Sequence, residues 1–453
     1  MQAHHEDTIA ALSTAPGIAA LAVVRLTGDR AIGIVDEVFR GRKLADQPSH
    51  TAHVGHIVRD GQMIDEVVVT LFKAPRSFTR EDVVEISCHG SPVVIKEILQ
   101  LLLAHGARLA KAGEFTRRAF LNGRLDLAQA EAVADLIHAE TANARQAAVN
   151  QMRGGFSGEI RKLREELIHF ASLIELELDF GEEDVEFAGR EDLRKLILKL
   201  QQHLHPLIES FDKGNVIRNG VPVVIAGKPN AGKSTLLNRL LNEERAIVSD
   251  IPGTTRDFIE DEITLGGIHF RFVDTAGLRD TSDTIEAIGV QRTKEKIIQA
   301  AVVLYLFDLS GTTIEEIAAQ ELELASYSQP VIRIGNKVDA ASPALLRQLD
   351  GRYLLMSASR GENLQALKDR LVQLFDAEVR PSDVLVTNVR HYQALKETHA
   401  ALARSLDGLD RGITGDFLAM DIRQALHYLG EITGEITTED LLDNIFSKFC
   451  IGK

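Results

Sequence analysis

The stretch VVIAGKPNAGKST, residues 223–235, joins an apolar run to a glycine-rich loop and then to the helical sequence LLNRLL. The spacing Gly-x-x-x-x-Gly-Lys-Ser, ending at Ser234, is typical of a phosphate-binding loop between a strand and a helix. Backbone N–H groups of Asn230–Thr235 are predicted to surround a phosphate at the helix start, where the helix dipole favours negative charge. Lys233 adds a positive charge to the phosphates, and the Ser234 hydroxyl suits Mg²⁺.

Two downstream segments have the features of a nucleotide-sensing switch. DTAG at 274–277 follows the apolar run FRFV, so Asp274 is predicted at a strand end where it holds Mg²⁺ through water. The Gly277 N–H is then able to sense a γ-phosphate. PGTTRD at 252–257 lies between the loop and DTAG and offers Thr255 as a second hydroxyl ligand to Mg²⁺. Their order and close spacing predict a GTPase.

The tetrapeptide NKVD, residues 336–339, follows the apolar run PVIRIG. By itself it fits an ordinary polar turn that closes a buried strand. With the other segments it indicates guanine recognition, because the Asp339 carboxylate accepts from both N1–H and the exocyclic amine. Adenine would leave an acceptor unpaired, at ~1–3 kcal/mol. Asn336 is predicted at the far edge of the base, the Lys337 stem over the ring, and SAS at 357–359 as further support.

The residue after DTAG is Leu278, which cannot orient a water molecule as a glutamine does in Ras-like proteins. Another group must position the attacking water. Glu286 is one candidate, although a glutamate there also fits a solvated helix start. Arg256 and Arg279 flank the phosphate site and fit either an arginine finger or surface residues. Asn230 offers a side-chain oxygen for a monovalent cation near the phosphates.

Composition limits the classes of protein to which the chain can belong. Its 453 residues are 45% hydrophobic and 26% charged, which fits a globular protein of about three domains. The net charge of −15 is opposite to that of a protein held to nucleic acid mainly by phosphate neutralisation. Cys88 and Cys450 are far apart, so neither a disulfide framework nor a zinc site is predicted. Without a signal-like or membrane-spanning run, a cytoplasmic protein that does not contact membrane is expected.

Apolar periodicity divides the chain into four segments. Residues 1–120 mix short β-rich stretches with helical pieces, as in an α+β domain. Residues 121–217 have the three- and four-residue apolar spacing of long amphipathic helices, and 379–453 return to that pattern. Between them, 218–378 alternates apolar strands with helices, which is typical of a mainly parallel sheet. We therefore predict a Ras-like P-loop domain inserted between two halves of one all-helical domain.

Several motifs together carry a resemblance to a known family. They are SFTREDVVEISCHGSPVV, GEFTRRAFLNGRLDLAQAEAVADLI, GKPNAGKSTLLN, LGEITGEITTEDLLDNIFSKF and the final FCIGK. In this order, over nearly the whole chain, the sequence resembles the MnmE (TrmE) tRNA-modification GTPases. The resemblance implies an N-terminal folate-binding and dimerising domain and a K⁺-stimulated, Mg²⁺-dependent GTPase that is activated when two G domains meet. It also implies a heterotetramer with the flavoprotein MnmG (GidA) that installs an aminomethyl or carboxymethylaminomethyl group on carbon five of a tRNA wobble uridine.

The same resemblance assigns roles to individual residues. It implies a K⁺ site at Asn230, Ser249, Ile251 and Thr254, Mg²⁺ on Ser234 and Thr255, and Glu286 as the residue that positions water. It places formyl- or methylene-tetrahydrofolate on Arg25, Glu85, Arg124 and Lys453. Catalytic roles are expected for Glu286, Lys233, Asn230 and Cys450, although Cys450 also fits a small buried apolar residue. The full set of expected nucleotide contacts is Asn230, Ala231, Gly232, Lys233, Ser234, Thr235, Ser249, Asp250, Ile251, Pro252, Gly253, Thr254, Thr255, Asp274, Thr275, Ala276, Gly277, Asn336, Lys337, Asp339, Ser357, Ala358 and Ser359.

Two departures from the family pattern are local. AKAGEF replaces the usual Arg-Pro before Gly-Glu-Phe, so Lys111 and Ala112 are expected to shape that loop differently. Thr235 stands where Ser is common and keeps a hydroxyl. Two other functions stay open: a GTP-gated scaffold on ribosomal RNA or the ribosome, and a folate enzyme with a regulatory GTPase. The scaffold is less favoured because no basic RNA-binding stripe follows the G domain.

Overall fold

The computed structural model describes residues 7–179, 189–245, 261–273, 297–298, 300–324, 327–349, 351–375, 383–413 and 415–452. The chain forms two compact units. The first unit comprises Met1–His138, Ala148–Pro206 and Gln393–Lys453, and the second unit comprises Ala139–Ala147 and Leu207–Tyr392. In the described ranges, none of the helices has both the length and the hydropathy of a membrane span.

The described residues form the following strands and helices, given in chain order. The strands are β1 Thr8–Leu12, β2 Ala19–Thr27, β3 Phe39–Arg40, β4 Thr51–Arg59, β5 Gln62–Phe72, β6 Val83–Gly90, β7 Ala107–Leu109, β8 Val221–Gly227, β9 Asp261–Leu265, β10 Ile268–Phe272, β11 Val302–Asp308, β12 Val331–Asn336 and β13 Tyr353–Leu355. The helices are α1 Ala31–Val38, α2 Pro92–Ala104, α3 Glu114–Leu121, α4 Leu127–Ile137, α5 Ala142–Met152, α6 Gly155–Asp179, α7 Arg190–Asn219, α8 Lys233–Arg245, α9 Ile314–Leu324, α10 Pro343–Gln348, α11 Leu364–Leu374, α12 Val389–Asp410, α13 Gly415–Thr433 and α14 Glu439–Phe446.

The first unit contains a seven-stranded sheet in the order β3-β4-β5-β6-β2-β1-β7. Only the β1–β7 pair is parallel among its described pairs. Alternate residues such as Leu26, Val69 and Ile86 are fully buried and pack in one core with residues of α1 and α2. Their neighbours face the other side of the sheet, where Val54 and Leu21 are exposed. One covered face and one open face is the usual arrangement of an antiparallel sheet.

Long helices complete the first unit, as their apolar spacing predicts. On α6, Leu163, Leu167 and Ile174 are buried. The helix α4 begins at a capping box, in which Asp126 accepts from the Gln129 backbone N–H and the Gln129 side chain accepts from the Asp126 N–H. Within the predicted helical segment 121–217, the helix is interrupted between α4 and α5.

The start of α12 differs from the prediction. The helical pattern predicted over 379–453 includes residues 383–388, whereas α12 begins at Val389. Residues 383–388 include β-branched side chains, which lose rotamer freedom in a helix. In addition, the Val386 N–H donates to Ser210 Oγ of α7 at 3.0 Å. A contact with a residue far away in sequence thus takes over a donor that a helix would use internally.

The second unit is built on a six-stranded sheet in the order β13-β12-β11-β8-β10-β9. All neighbours are parallel except the hairpin β9–β10. The predicted mainly parallel sheet of a P-loop domain is therefore confirmed, together with the α+β and helical parts of the chain. Because parallel strands end at one edge, the loops after β8, β11 and β12 lie together.

Candidate functional site

The loop after β8 has the backbone geometry of a phosphate cradle. Gly227 (φ 139°), Asn230 (φ 59°) and Gly232 (φ 96°) are in the positive-φ region, and α8 begins at Lys233. Gly232 is required sterically as well, since a Cβ there would lie 2.3 Å from Asn336 Nδ2. This geometry leaves the N–H groups at the start of α8 directed out of the helix.

Lys233 folds back over its own loop. Its Nζ donates to the carbonyl oxygens of Gly227 and Lys228, both at 2.9 Å. Burial lowers the pKa of Lys233 from its ordinary value. The amine therefore lies above the loop, where phosphate oxygens are able to replace the two carbonyl acceptors.

Asn336 connects three of the predicted segments. It is 2% exposed, and its Nδ2 donates to the Ala231 carbonyl oxygen at 2.7 Å. Its Oδ1 accepts from the Ala358 N–H at 3.0 Å. The amide thus joins the phosphate-binding loop, the end of β12 and the SAS segment, and both of its polar atoms bind protein backbone.

The guanine-recognition residues lie next to this junction. A hydrogen bond from Ser357, together with the charges of Arg360 and Lys337, lowers the pKa of Asp339. Arg360 Nε lies 3.4 Å from Asp339 Oδ2. Ser357 Oγ is 3.2 Å from Ser359 Oγ. A carboxylate held in its ionised form is an acceptor for two N–H groups, as guanine requires.

Many predicted nucleotide contacts are outside the described residues. These are Ser249, Asp250, Ile251, Pro252, Gly253, Thr254, Thr255, Asp274, Thr275, Ala276 and Gly277. Glu286, which is predicted to position water, and Arg256, Leu278 and Arg279 also lie outside the described residues. Ser234 and Thr235 lie in the first turn of α8, as expected.

A second group of predicted residues lies on the open face of the first sheet. Arg25 and Glu85 are directly opposite each other on β2 and β6, and Arg25 Nη2 lies 2.7 Å from Glu85 Oε1. The Arg25 guanidinium carbon lies 5.9 Å from the ring centre of Phe78 and 5.8 Å from that of Phe115. A charged pair flanked by aromatic rings suits a planar, polar heterocycle.

The C-terminal residues reach the same place. The Gly452 carbonyl oxygen accepts from Ser13 Oγ at 3.2 Å and from Arg25 Nη1 at 3.4 Å. Ala112 and Ile451 form an isolated antiparallel bridge, so the loop that departs from the family pattern contacts the tail. Lys453 is outside the described residues.

Cys450 is exposed, so its interpretation as a small buried residue is wrong. The backbone of Cys450 contacts the first unit, because the Gly113 N–H donates to the Cys450 carbonyl oxygen at 3.4 Å. Arg124 is exposed in the turn between α3 and α4.

Two family models match successive segments of this chain. A family model for the GTP-binding protein TrmE N-terminus matches residues 8–124, and one for the MnmE helical domain matches residues 127–450. The tRNA modification GTPase MnmE of Cytophaga hutchinsonii is 58% identical over 99% of this chain and 98% of its own length. This chain belongs to the MnmE family. The relative of the same name from Christiangramia forsetii is 50% identical over 99% of both chains.

A solved structure was also matched to this MnmE-family chain. The G domain of the T. maritima FeoB iron transporter is 23% identical over 34% of this chain and 97% of that domain. The TM-score of this match is 0.25.

Sequence reasoning missed one charged partner in this MnmE-family site. Asp308 is the last residue of β11, and its Oδ2 accepts from Lys337 Nζ at 2.6 Å. The local signal was a carboxylate directly after the apolar run VVLYLF, but its partner depends on the parallel pairing of β11 with β12.

Proposed function

We propose that this protein binds GTP and hydrolyses it to GDP as one step of tRNA wobble uridine modification in the cytoplasm. With the flavoprotein MnmG (GidA), it installs an aminomethyl or carboxymethylaminomethyl group at carbon five of the uridine. Membership of the MnmE family supports this proposal. The proposed domains are residues 1–120 for folate binding and dimerisation, residues 218–378 for GTP binding, and residues 121–217 with 379–453 for the helical domain.

One observation carries the nucleotide part of the proposal, namely the Asn336 junction. Through Ala231 and Ala358 it joins the phosphate loop to the base-recognition segment, so triphosphate and base are recognised by one connected structure. In this proposal Lys233 leaves its two carbonyl acceptors for the β- and γ-phosphates. Asp339 accepts from the N1–H and amine of guanine, with Ser357, Ala358 and Ser359 beside the base.

The remaining catalytic residues are proposed from the family resemblance. Ser234 and Thr255 would hold Mg²⁺, which offsets negative charge on the phosphates. Asn230, Ser249, Ile251 and Thr254 would hold K⁺, and Glu286 would position the attacking water in the absence of a glutamine at Leu278. The left-handed backbone at Asn230 is compatible with this role, because Asn tolerates that conformation better than most residues.

The first unit is proposed to bind formyl- or methylene-tetrahydrofolate at Arg25 and Glu85, with Arg124, Lys453 and Cys450 contributing. The proximity of Arg25 to Phe78, Phe115 and the Gly452 carbonyl supports this location. A homodimer is also proposed. Exposed apolar side chains in residues 1–120, including Ile18 at 92% and Leu21 at 65%, support it.

Cation dependence tests the hydrolytic proposal. We expect GTP turnover in K⁺ to exceed turnover in Na⁺, because a partly dehydrated ion must fit a set of fixed oxygens. Turnover is measured at equal ionic strength with wild type and Asn230→Ala. The variant should lose the difference between the two salts, and equal wild-type rates in both would exclude a K⁺ role for Asn230.

Mass spectrometry of tRNA nucleosides tests the modification proposal. A strain that lacks the protein is complemented with wild type or with Asp274→Ala. We expect aminomethyl-type wobble uridines to disappear in the deletion and to return with wild type only. Restoration by Asp274→Ala would favour a folate enzyme with a regulatory GTPase, whereas unchanged nucleosides in the deletion would favour a GTP-gated scaffold.

A further inference from the structure

We propose that Asp308 is a positioning residue for the nucleotide base, which acts by holding the Lys337 side chain in the site. This inference rests on the proposed guanine nucleotide site. Lys337 Nζ lies 2.6 Å from Asp308 Oδ2, at the edge of the sheet where the phosphate loop and NKVD meet. Asp308 and Lys337 are 29 positions apart in sequence.

Strand register fixes the backbone on both sides of this pair. Asp308 is paired with Asn336 in the parallel ladder of β11 and β12, so Lys337 is the first residue beyond that ladder. The Leu309 N–H donates to the Asn336 carbonyl oxygen at 3.0 Å, which extends the pairing by one residue. Lys337 then takes a left-handed conformation, with φ 61° and ψ 39°. The side chain of Lys337 therefore starts from a defined position beside Asp308.

The Asp308 carboxylate is itself held in place. Its Oδ1 accepts from the Ser310 N–H at 2.9 Å and from Ser310 Oγ at 2.6 Å. Oδ2 is then available to Lys337. Partial burial raises the pKa of Asp308, but hydrogen bonds from Lys337 and Ser310 outweigh it and lower the pKa overall. The group that meets the lysine is thus an oriented carboxylate.

The consequence for the ligand follows from the flexibility of lysine. A free lysine side chain samples many rotamers, and ordering it on binding costs conformational entropy. With Nζ held by Asp308, the methylene stem is ordered before the nucleotide arrives and is able to cover the base plane. The effect is independent of the groups on the base edge, because the stem contacts the ring face. Base identity remains the role of Asp339.

The test uses the full chain and a fluorescent N-methylanthraniloyl GDP, with its dissociation rate measured by stopped flow. Asp308→Asn keeps the shape of the side chain but removes its charge, and we expect dissociation to be about tenfold faster. Lys337→Met keeps an apolar stem and should also dissociate faster. The double variant should match Lys337→Met alone. If Asp308 had only a structural role, Asp308→Asn would speed GDP dissociation by the same factor in wild type and in Lys337→Met.

A matched control lies in the same unit. Glu321 is 19% exposed, close to the 22% of Asp308, and its carboxylate pairs with Arg333 at 2.8 Å. Glu321→Gln removes an ion pair that has no place in the proposed site, so its GDP dissociation rate should equal that of wild type.

Base dependence separates this inference from the proposed function. Asp308→Asn should lower the affinities for GDP and for inosine diphosphate by the same factor, since both bases present a ring face to the Lys337 stem. If wild type binds GDP and GDP leaves Asp308→Asn at the wild-type rate, Asp308 does not position Lys337, while the proposed GTP site is unaffected. Wild type without GDP binding would exclude both. An effect of Asp308→Asn that persists unchanged in Lys337→Met would show that Asp308 does not act through Lys337.

Discussion

At the scale of single residues, Asp339 makes the sharpest prediction about base choice. Asp339→Asn replaces one carboxylate oxygen with an amide NH2, which donates and does not accept. The exocyclic amine of guanine then loses its acceptor, whereas the carbonyl oxygen of xanthine at the same position gains a donor. We expect GTP affinity to fall by ~1–3 kcal/mol and xanthosine triphosphate affinity to rise. Equilibrium binding of both nucleotides measures this. Asp369→Asn changes a carboxylate on α11 that accepts from Gln365. It should leave both affinities unchanged, and an unaltered preference in Asp339→Asn would contradict guanine recognition by this carboxylate.

Gly232 is the residue at which backbone conformation and packing are both critical. Gly232→Ala places a Cβ 2.3 Å from Asn336 Nδ2 at a φ of 96°. We expect the variant to lose the Asn336–Ala231 hydrogen bond, to bind GDP at least about tenfold more weakly, and to be destabilised by ~1–3 kcal/mol. Nucleotide titration and thermal unfolding measure the two effects. Gly351→Ala is the control, because a Cβ there meets nothing within 4 Å.

At the scale of secondary structure elements, the start of α4 has a testable cap. Asp126 accepts from the Gln129 N–H at 2.9 Å, from Ser157 Oγ at 2.9 Å and from Arg161 Nη2 at 3.0 Å. Asp126→Ala should lower the free energy of unfolding by ~1–2 kcal/mol. Asp126→Asn keeps a capping oxygen but loses the charged acceptor for Arg161, a partly exposed ion pair that contributes ~0–1 kcal/mol. Urea unfolding followed by circular dichroism should therefore rank the alanine variant below the asparagine variant.

Local sequence signals predict some of these elements and not others. Strand β8, the loop and α8 were predictable because their signals are local: an apolar run, glycines at fixed spacing and a lysine. The start of α12 was not, since it depends on a contact between Val386 and α7. A Cβ on Gly214 of α7 would lie 2.2 Å from the Val386 carbonyl oxygen, so the two segments touch through their backbones. Periodicity carries no information about that approach.

The site residues also divide into those that local motifs predict and those that depend on strand pairing. Local motifs predicted Lys233 and Asn336, but neither the Arg25–Glu85 pair nor the Asp308–Lys337 pair could be derived from local pattern. The first pair depends on the register of strands 60 residues apart, and the second on the parallel pairing of β11 with β12. Family resemblance supplied Arg25 and Glu85 as individual residues. Their direct contact required the fold.

Across the first unit, an early loop residue meets a residue of the C-terminal tail. Ser13 and Gly452 are 439 residues apart in sequence and are joined by a hydrogen bond beside Arg25. Gly452 has a φ of 93°, and a Cβ there would lie 2.3 Å from the Leu12 carbonyl oxygen. If folate binds at Arg25 as proposed, the site therefore depends on the position of Gly452 next to Leu12 and Ser13.

Gly452→Ala tests this dependence. We expect the substitution to displace the tail from Arg25 and to weaken 5-formyltetrahydrofolate binding by about tenfold, because one clash breaks contacts that act together. GDP binding should be unchanged, since the nucleotide residues belong to the second unit. Isothermal titration with each ligand measures both. Gly412→Ala separates clash from backbone strain: its φ is 69°, yet a Cβ there meets nothing within 4 Å, so folate binding should persist. Wild-type folate affinity in Gly452→Ala would place the ligand away from the tail and leave Arg25 and Glu85 as a structural ion pair.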